Sequence, residues 1–221
     1  MPRASTLAYG KVAGAYDAFL TLTGFKRGVE KFLGRLEWPL PSCPKILDAG
    51  CGTGLMSIWF AKRLPDAAIL AFDIDANMLR EMEEIVEREE ISRERLVIAL
   101  GDLTNPNYLH IRGTHELAAI PENHFDAIVV SGALEHVPLA PTVERLVRLL
   151  KPGGIFFNLG VRRNPAGAVL GMVYRFRPYR LTELRRACEQ AGLEDIRVIR
   201  LSVEDFPANL SRIAILARRK N

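Results

Sequence analysis

The residues best suited to chemistry stand in a glycine-rich run close to position 50. An apolar segment leads into this run, and residues 47–54 read LDAGCGTG. Glycine has no Cβ, so it tolerates positive φ angles and lets a ligand approach the backbone closely. A buried strand that breaks into such a turn and continues as a helix therefore predicts a ligand site at the turn. The residues placed for contact are Asp48, Gly50, Cys51, Gly52 and Gly54.

A second candidate is the carboxylate of Asp73, which ends the next apolar segment, 68–72. A carboxylate at that point can accept hydrogen bonds from both hydroxyls of a ribose. Nicotinamide-dinucleotide sites also place an acid there, so Asp73 indicates a nucleoside without identifying it. Asp75 precedes an amphipathic segment, and we expect it to cap that helix.

Apolar strands alternate with amphipathic helices through most of the chain. This alternation predicts a parallel sheet with helices on both faces and a ligand at the carboxyl ends of the strands. Two consecutive strands near the end of the chain predict an antiparallel pair at one edge. The predicted strands are 45–47, 68–72, 96–100, 125–130, 155–159, 195–201 and 209–217, and the predicted helices are 9–20, 55–64, 76–90, 142–150 and 181–191.

These motifs, in this order, resemble those of class I S-adenosylmethionine (AdoMet)-dependent methyltransferases. The matching runs are LDAGCGTG, AFDIDANML at 71–79, GDL at 101–103, AAIPENHFD at 118–126, SGALEHV at 131–137 and LLKPGG at 149–154. In style they are closest to enzymes that methylate quinones, phospholipids and small molecules. The resemblance implies an α/β, Rossmann-like fold, with seven strands in the order 3-2-1-4-5-7-6, strand 7 antiparallel, and helices on both faces.

The resemblance also implies roles for individual residues. Asp48 is expected to face the amino-acid part of AdoMet, Asp73 to hold its ribose, and Asp102 to bind the adenine amino group. Tyr16, on the N-terminal helix, is expected to cover the cofactor, although that helix could instead simply pack on the sheet. Ile74 and Met78 are expected to form apolar walls for adenine, with Leu103 beside the ring. Ser131 and Gly132 are expected beneath the sulfonium. The remaining implied contacts are Gly50, Cys51, Gly52, Gly54 and Gly101.

The sequence departs from two known patterns, the nicotinamide fingerprint and the spacing seen in methyltransferases, and each departure bears on an alternative. The nicotinamide fingerprint Gly-x-Gly-x-x-Gly is incomplete here, because Leu55 stands where the third glycine belongs. Residues 103–117 form an insertion longer than the resemblance leads us to expect. Glu116 is therefore an alternative to Asp102, and the insertion could serve as a substrate lid.

Catalytic and metal-binding side chains are sparse. His136 is the one histidine placed for proton transfer, and capping or packing of the following helix is its alternative role. The four histidines are scattered without metal-ligand spacing, so we expect no metal. The run Asn105 to Tyr108 looks like an amino-methylation motif but follows the third strand instead of the fourth, which favours a turn.

Length and composition predict a single domain, which the resemblance implies is a methyltransferase domain. The chain has 221 residues, of which 48% are hydrophobic, with no secretory signal and no stretch long enough to span a bilayer. Three cysteines at wide spacing favour reduced thiols and a cytoplasmic location. Within this domain we predict an N-terminal helical cap at 1–37, a Rossmann-like core at 45–218, the 103–117 insertion and a substrate-side cap at 161–180.

The expected function is methyl transfer from AdoMet to a small-molecule or lipid-like acceptor. Residues 162–177 place an apolar stretch between arginines, which suits an apolar tail or peripheral contact with a membrane. From residue 151 onward there are 14 Lys and Arg against 6 Asp and Glu, so RNA methylation is an alternative. A non-catalytic AdoMet-binding module and, less favoured, a nicotinamide-dependent oxidoreductase also remain. The oligomeric state is not predicted.

Overall fold

A computed structural model describes residues 22–221 of the chain. The predicted helix at 9–20, and Tyr16 with it, lie outside the described residues. The described strands are β1 (Lys45–Ala49), β2 (Ala68–Asp73), β3 (Leu96–Leu100), β4 (Tyr108–Ile111), β5 (Leu117–Ala119), β6 (Phe125–Ser131), β7 (Leu150–Val161), β8 (Leu193–Arg200) and β9 (Arg212–Arg219). The helices are α1 (Phe25–Gly34), α2 (Leu55–Arg63), α3 (Ala76–Arg88), α4 (Leu139–Leu149), α5 (Pro165–Tyr174) and α6 (Leu181–Gln190).

The strands form one nine-stranded sheet in the order β5-β4-β3-β2-β1-β6-β7-β9-β8. β3, β2, β1, β6 and β7 run parallel, and β9 is antiparallel to both β7 and β8. Without β4 and β5, this is the seven-strand order and the reversed last strand that the sequence predicted. The Rossmann-like α/β fold is therefore confirmed, and the sheet is larger than expected by two strands.

Alternate residues of each central strand enter cores on opposite faces of the sheet. Ile46 packs in the core formed with α1, α2 and α3, whereas its neighbour Leu47 packs in the core formed with α4 and α6. Phe157 and Phe156 divide between the same two cores. Because both faces are covered, the central strands are almost continuously apolar. None of the helices within residues 22–221 is long and apolar enough to cross a bilayer.

The insertion at 103–117 is an edge hairpin and not a cover over the sheet. β4 pairs antiparallel with β3, and β5 pairs antiparallel with β4. A Cβ on Gly101 would lie 2.3 Å from Cδ2 of Leu109, a fully buried residue of β4. Gly101 is thus required for close packing of the hairpin on the sheet, which gives it a structural role that the sequence did not suggest.

Residues 151–154, the KPGG part of the matching run, lie within a strand, which therefore begins before the predicted residue 155. β7 begins at Leu150, which pairs with Phe125, and the register resumes at Ile155 opposite Ala127. The intervening residues bulge out, and the Lys151 ammonium contacts the Asp126 carboxylate at 2.7 Å. A bulge keeps both flanking segments paired, whereas a turn would end the strand.

We predict that Gly101→Ala destabilises the protein by about 1–3 kcal/mol, because the added methyl group overlaps Leu109. Leu109→Ala alone removes a buried side chain and should cost about 2–5 kcal/mol. The double variant should lose less than the sum of the two, since each change relieves the other. Urea unfolding of all four proteins measures this coupling, and strictly additive losses would show that the two residues do not pack together.

Candidate ligand-binding site

The glycine run forms the first turn at the carboxyl edge of the sheet. Gly50, Gly52 and Gly54 have φ angles of +73°, +55° and +86°, all left-handed. A Cβ on Gly50 would lie 2.4 Å from Cβ of Ala133, and one on Gly54 would lie 2.7 Å from Met82. Gly52 differs, because nothing lies within 4 Å of its Cβ position. The run therefore packs against protein at its ends and presents bare backbone to open space at its centre.

Asp73 connects this turn to the beginning of α3. Its Oδ2 accepts a hydrogen bond from the Gly52 N–H at 2.9 Å, and its Oδ1 accepts one from the Asp75 N–H at 2.9 Å. Burial raises the pKa of Asp73, and these two N–H groups oppose the shift. Each oxygen keeps a further lone pair, so the carboxylate can still accept two hydroxyl donors. Asp75 accepts from the Asn77 N–H at 2.9 Å, as expected of a helix cap.

Asp48 accepts hydrogen bonds at the N-terminus of α2. The residue at the helix N-cap, Gly54, has no side chain to offer, and Oδ2 of Asp48 accepts instead from the Ser57 N–H at 3.0 Å and from its hydroxyl. Asp48 is only 1% exposed, and its Oδ1 has no hydrogen-bond partner. Burial raises the pKa of Asp48 to about 7, although the Ser57 hydrogen bonds oppose the shift. Its expected contact with AdoMet stays a prediction.

The residues expected around adenine are unequally accessible. Ile74 is 54% exposed at the end of β2, whereas Met78 is 3% exposed and Leu103 is also buried. Asp102 is exposed, and its Oδ1 accepts from the backbone N–H and the hydroxyl of Thr104, both at 2.7 Å. Ile74 and Asp102 therefore offer surface to a ligand, and Met78 offers almost none.

Glu116, the alternative to Asp102, lies elsewhere. Its carbonyl accepts from the Ile111 N–H, and Ile111 pairs with Ala99. Glu116 is therefore beyond β4 and below the carboxyl end of β3. Asp102 follows that end directly, so the register favours Asp102.

The exit of β6 lies between the glycine turn and β9. Ser131 ends β6, and the Gly132 N–H donates to the Leu159 carbonyl at 3.1 Å. Gly132 has φ +64°, and a Cβ there would lie 3.2 Å from Nη1 of Arg212. Cys51 is buried, with its Sγ 3.7 Å from Sδ of Met82, and burial raises the pKa of its thiol. Cys51 can offer its backbone to a ligand, but its thiol is part of the core.

His136 lies on the other side of this exit. It ends a short 3₁₀ turn, Leu134–His136, and its ring packs edge-on against Phe176 with centroids 4.9 Å apart. Burial, and then the charge of Arg212, lower the pKa of His136. The imidazole is therefore neutral at pH 7 and able to accept a proton.

Three polar residues that were not predicted as contacts, Glu135, Asn158 and Arg212, have buried atoms without hydrogen-bond partners. Glu135 uses Oε1 to accept from the Val161 N–H, and its Oε2 has no partner. Oδ1 of Asn158 and two nitrogens of Arg212 also have none. The available sequence signal is a polar residue within a strand that is otherwise apolar, as in IFFNLG at 155–160. Among residues 22–221, no three His, Cys, Asp or Glu side chains are grouped to hold a metal.

Known proteins with similarity to this chain are named as methyltransferases. The family described as "Methyltransferase domain" matches residues 46–154. The ubiquinone biosynthesis O-methyltransferase of Alkalilimnicola ehrlichii is 33% identical over 134 residues, which are 59% of this chain and 48% of that protein. The ubiquinone/menaquinone biosynthesis C-methyltransferase of Pasteurella multocida is 28% identical over 90% of this chain and 70% of its own length.

Solved structures share the fold at low sequence identity. A chain of the complex between the Haloferax volcanii Trm112 methyltransferase activator and a putative methyltransferase superposes with a TM-score of 0.72 at 15% identity, covering 96% of this chain and 98% of that one. Geranyl diphosphate C-methyltransferase from Streptomyces coelicolor gives 0.69 at 12% identity, covering 87% and 76%. Against several of the curated relatives, this chain spans half of their length or less.

We predict that Asp48→Asn removes a pH dependence of stability. Because the folded-state pKa of Asp48 is raised, the folded protein holds a proton between about pH 4 and pH 7 that the unfolded chain has released. Wild-type stability should therefore fall across this window, by up to about 4 kcal/mol from this group. Asparagine does not ionise, so the variant should become more stable relative to wild type as the pH rises.

Urea unfolding at pH 4.5, 6 and 8 measures the effect. Asp66→Asn, at an exposed position, should follow the wild-type curve. Equal pH slopes for wild type and Asp48→Asn would contradict the raised pKa.

Proposed function

We propose that the chain transfers the methyl group of AdoMet to a small, lipid-like acceptor. The match of residues 46–154 to the family described as "Methyltransferase domain", and the relatives named for quinone methylation, support this proposal. One observation carries the proposal. The open backbone at Gly52, the Asp73 carboxylate and the exit of β6 all lie at one edge of the sheet, around the switch point between β1 and β6. In α/β sheets, ligands bind at that point.

The residues present suit a nucleoside with an amino-acid tail. Asp73 is held by two backbone N–H groups and keeps lone pairs for ribose hydroxyls. The unpartnered Oδ1 of Asp48 lies beneath the glycine turn and suits the amino group of the tail. Ile74 and Asp102 offer an apolar surface and a carboxylate to adenine. In this proposal the cofactor contacts the backbone of Gly50, Cys51, Gly52 and Gly54, and its sulfonium lies beside Ser131 and Gly132.

AdoMet, when bound, supplies a methyl group that is already activated on sulfur. The chain then has to orient an acceptor, exclude water and, for a hydroxyl or carbon acceptor, take up a proton. We assign the uptake of this proton to His136, whose pKa is lowered by burial and by the charge of Arg212, so that its ring is neutral before the reaction. Its ring packs against Phe176, which follows α5, and this contact supports the assignment because α5 is the proposed acceptor side.

A lipid-like acceptor is favoured by the surface of α5. Met172 and Val173 are 75% and 61% exposed, and Val169 is exposed beside them. Such an apolar surface next to a binding site commonly marks a contact with an apolar ligand or membrane. The relatives named for ubiquinone and menaquinone biosynthesis support the same class of acceptor.

RNA methylation is less well supported. The arginines of the C-terminal third are divided between the two ends of the sheet, because β9 runs from Arg212 at the ligand edge to Arg218 and Arg219 at the opposite one. Within the described residues, two others pair with glutamates, Arg177 with Glu183 and Arg185 with Glu189. Nucleic-acid binding requires a continuous basic stripe, which this distribution does not provide.

We predict that AdoMet and S-adenosylhomocysteine raise the melting temperature by mass action, whereas NAD does not.

Asp73→Asn should weaken the binding of AdoMet and S-adenosylhomocysteine by about 10- to 100-fold, because it replaces an acceptor with a donor facing backbone N–H groups. Asp126→Asn makes the same change at the opposite edge of the sheet and should leave affinity unchanged. Calorimetry measures all three proteins, and unaltered affinity in Asp73→Asn would show that another residue holds the ribose.

We further predict that Met172→Ser/Val173→Ser raises KM about tenfold for a polyprenylated phenol and leaves AdoMet affinity unchanged, since each serine weakens apolar contact. The tail-free phenol should be unaffected. Val203→Ser, at another exposed valine, is the control. Methyl transfer from labelled AdoMet to the phenols and to RNA is measured at low and at high salt. Activity on RNA that falls steeply with salt, with none on the phenols, would overturn the choice of acceptor.

A further inference from the structure

Arg212 occupies an unusual position for a charged residue. It begins β9 opposite Val161, the last residue of β7, at the edge of the sheet where the parallel strands end. Its guanidinium reaches back to the exit of β6, with Nη1 3.2 Å from the Cβ position of Gly132. The charge is therefore beside the place assigned to the sulfonium and the acceptor.

The guanidinium is poorly compensated. Nε and Nη1 are buried, and no group within residues 22–221 accepts a hydrogen bond from either. No carboxylate of the described chain forms an ion pair with Arg212. Burying donors of a charged group without partners is costly, so such a group requires an explanation, and a bound anion would supply the missing acceptors.

The surroundings fix the guanidinium in place. Its Cζ lies 5.2 Å from the centroid of the Phe25 ring, a cation–π contact from α1. Glu135 is near enough for its charge and that of Arg212 to influence each other, but its Oε1 is committed to the Val161 N–H. Arg212 is thus oriented by an aromatic face and left with free N–H groups, the arrangement that binds a planar or tetrahedral oxyanion.

We propose that Arg212 binds an anionic oxygen group, a carboxylate or a phosphate, on the methyl acceptor. The inference rests on the proposed function and narrows it, because the acceptor then carries a negative charge close to the atom that is methylated, in addition to an apolar part that α5 contacts. Phe25 holds the guanidinium, and Gly132 leaves room for it, since any side chain at that position would meet Nη1.

The test uses the full chain saturated with S-adenosylhomocysteine. Benzoate, phenyl phosphate and neutral benzamide are titrated while the Nε–H resonance of Arg212 is followed by NMR. We expect at least one anion to shift this resonance and to bind, and benzamide to do neither. A preference for benzoate identifies a carboxylate acceptor, and a preference for phenyl phosphate identifies a phosphate acceptor.

Variants separate binding from structure. Arg212→Met should weaken anion binding about 10- to 100-fold. Arg212→Lys keeps a charge without the paired donors and should bind the anion with intermediate affinity. Arg218→Met, on the same strand but exposed, should leave anion affinity unchanged.

The outcomes distinguish this inference from the function on which it rests. If the protein binds S-adenosylhomocysteine but neither anion, or binds benzamide equally well, the role of Arg212 is overturned and methyl transfer is not. If S-adenosylhomocysteine itself does not bind, the proposed function fails. Unchanged anion affinity in Arg212→Met would also overturn the inference.

Discussion

The carboxylate of Asp73 joins the two crossovers on which the ligand edge depends. One oxygen accepts from Gly52 in the turn after β1, and the other accepts from Asp75 at the start of α3. Backbone N–H groups that would otherwise lack partners are satisfied, and Gly52 is held in a left-handed conformation next to open space. The same residue thus shapes the turn and presents acceptor groups that suit a ribose. A change that disturbs the turn would therefore also disturb the proposed nucleoside site.

Buried polar atoms without partners accumulate around this edge. Oδ1 of Asp48, Oε2 of Glu135, Oδ1 of Asn158 and two nitrogens of Arg212 are each buried and unpaired within the described chain. Each costs free energy in the ligand-free protein. Functional sites characteristically depart from the rules that govern the rest of a fold, because the missing partner belongs to the ligand. The stability lost here is consistent with a site organised for a polar cofactor and a charged acceptor.

Local signals were sufficient to predict much of this molecule. Alternating apolar and amphipathic segments predicted the parallel sheet, and the resemblance to methyltransferases supplied the seven-strand order. The run LDAGCGTG predicted the glycine turn after β1, because glycine spacing and strand ends are properties of contiguous residues. Features that arise from distant contacts were not predicted. Gly101 resembled a cofactor residue, but its neighbour Leu109 explains it, and the short strands β4 and β5 carry too few residues for a clear period. Arg212 acquires its environment only when β9 pairs with β7, which no nearby residue reveals.

The proposed function depends on Asp73 and the glycine turn forming the nucleoside site. A crystal structure with S-adenosylhomocysteine tests this most directly. We expect both ribose hydroxyls within hydrogen-bonding distance, about 2.6–3.0 Å, of the Asp73 carboxylate, the amino-acid tail over Gly52, and the sulfur facing Gly132. A nucleoside bound away from the carboxyl ends of β1 and β2, or one whose ribose contacts other residues while Asp73 remains bonded only to Gly52 and Asp75, would contradict it.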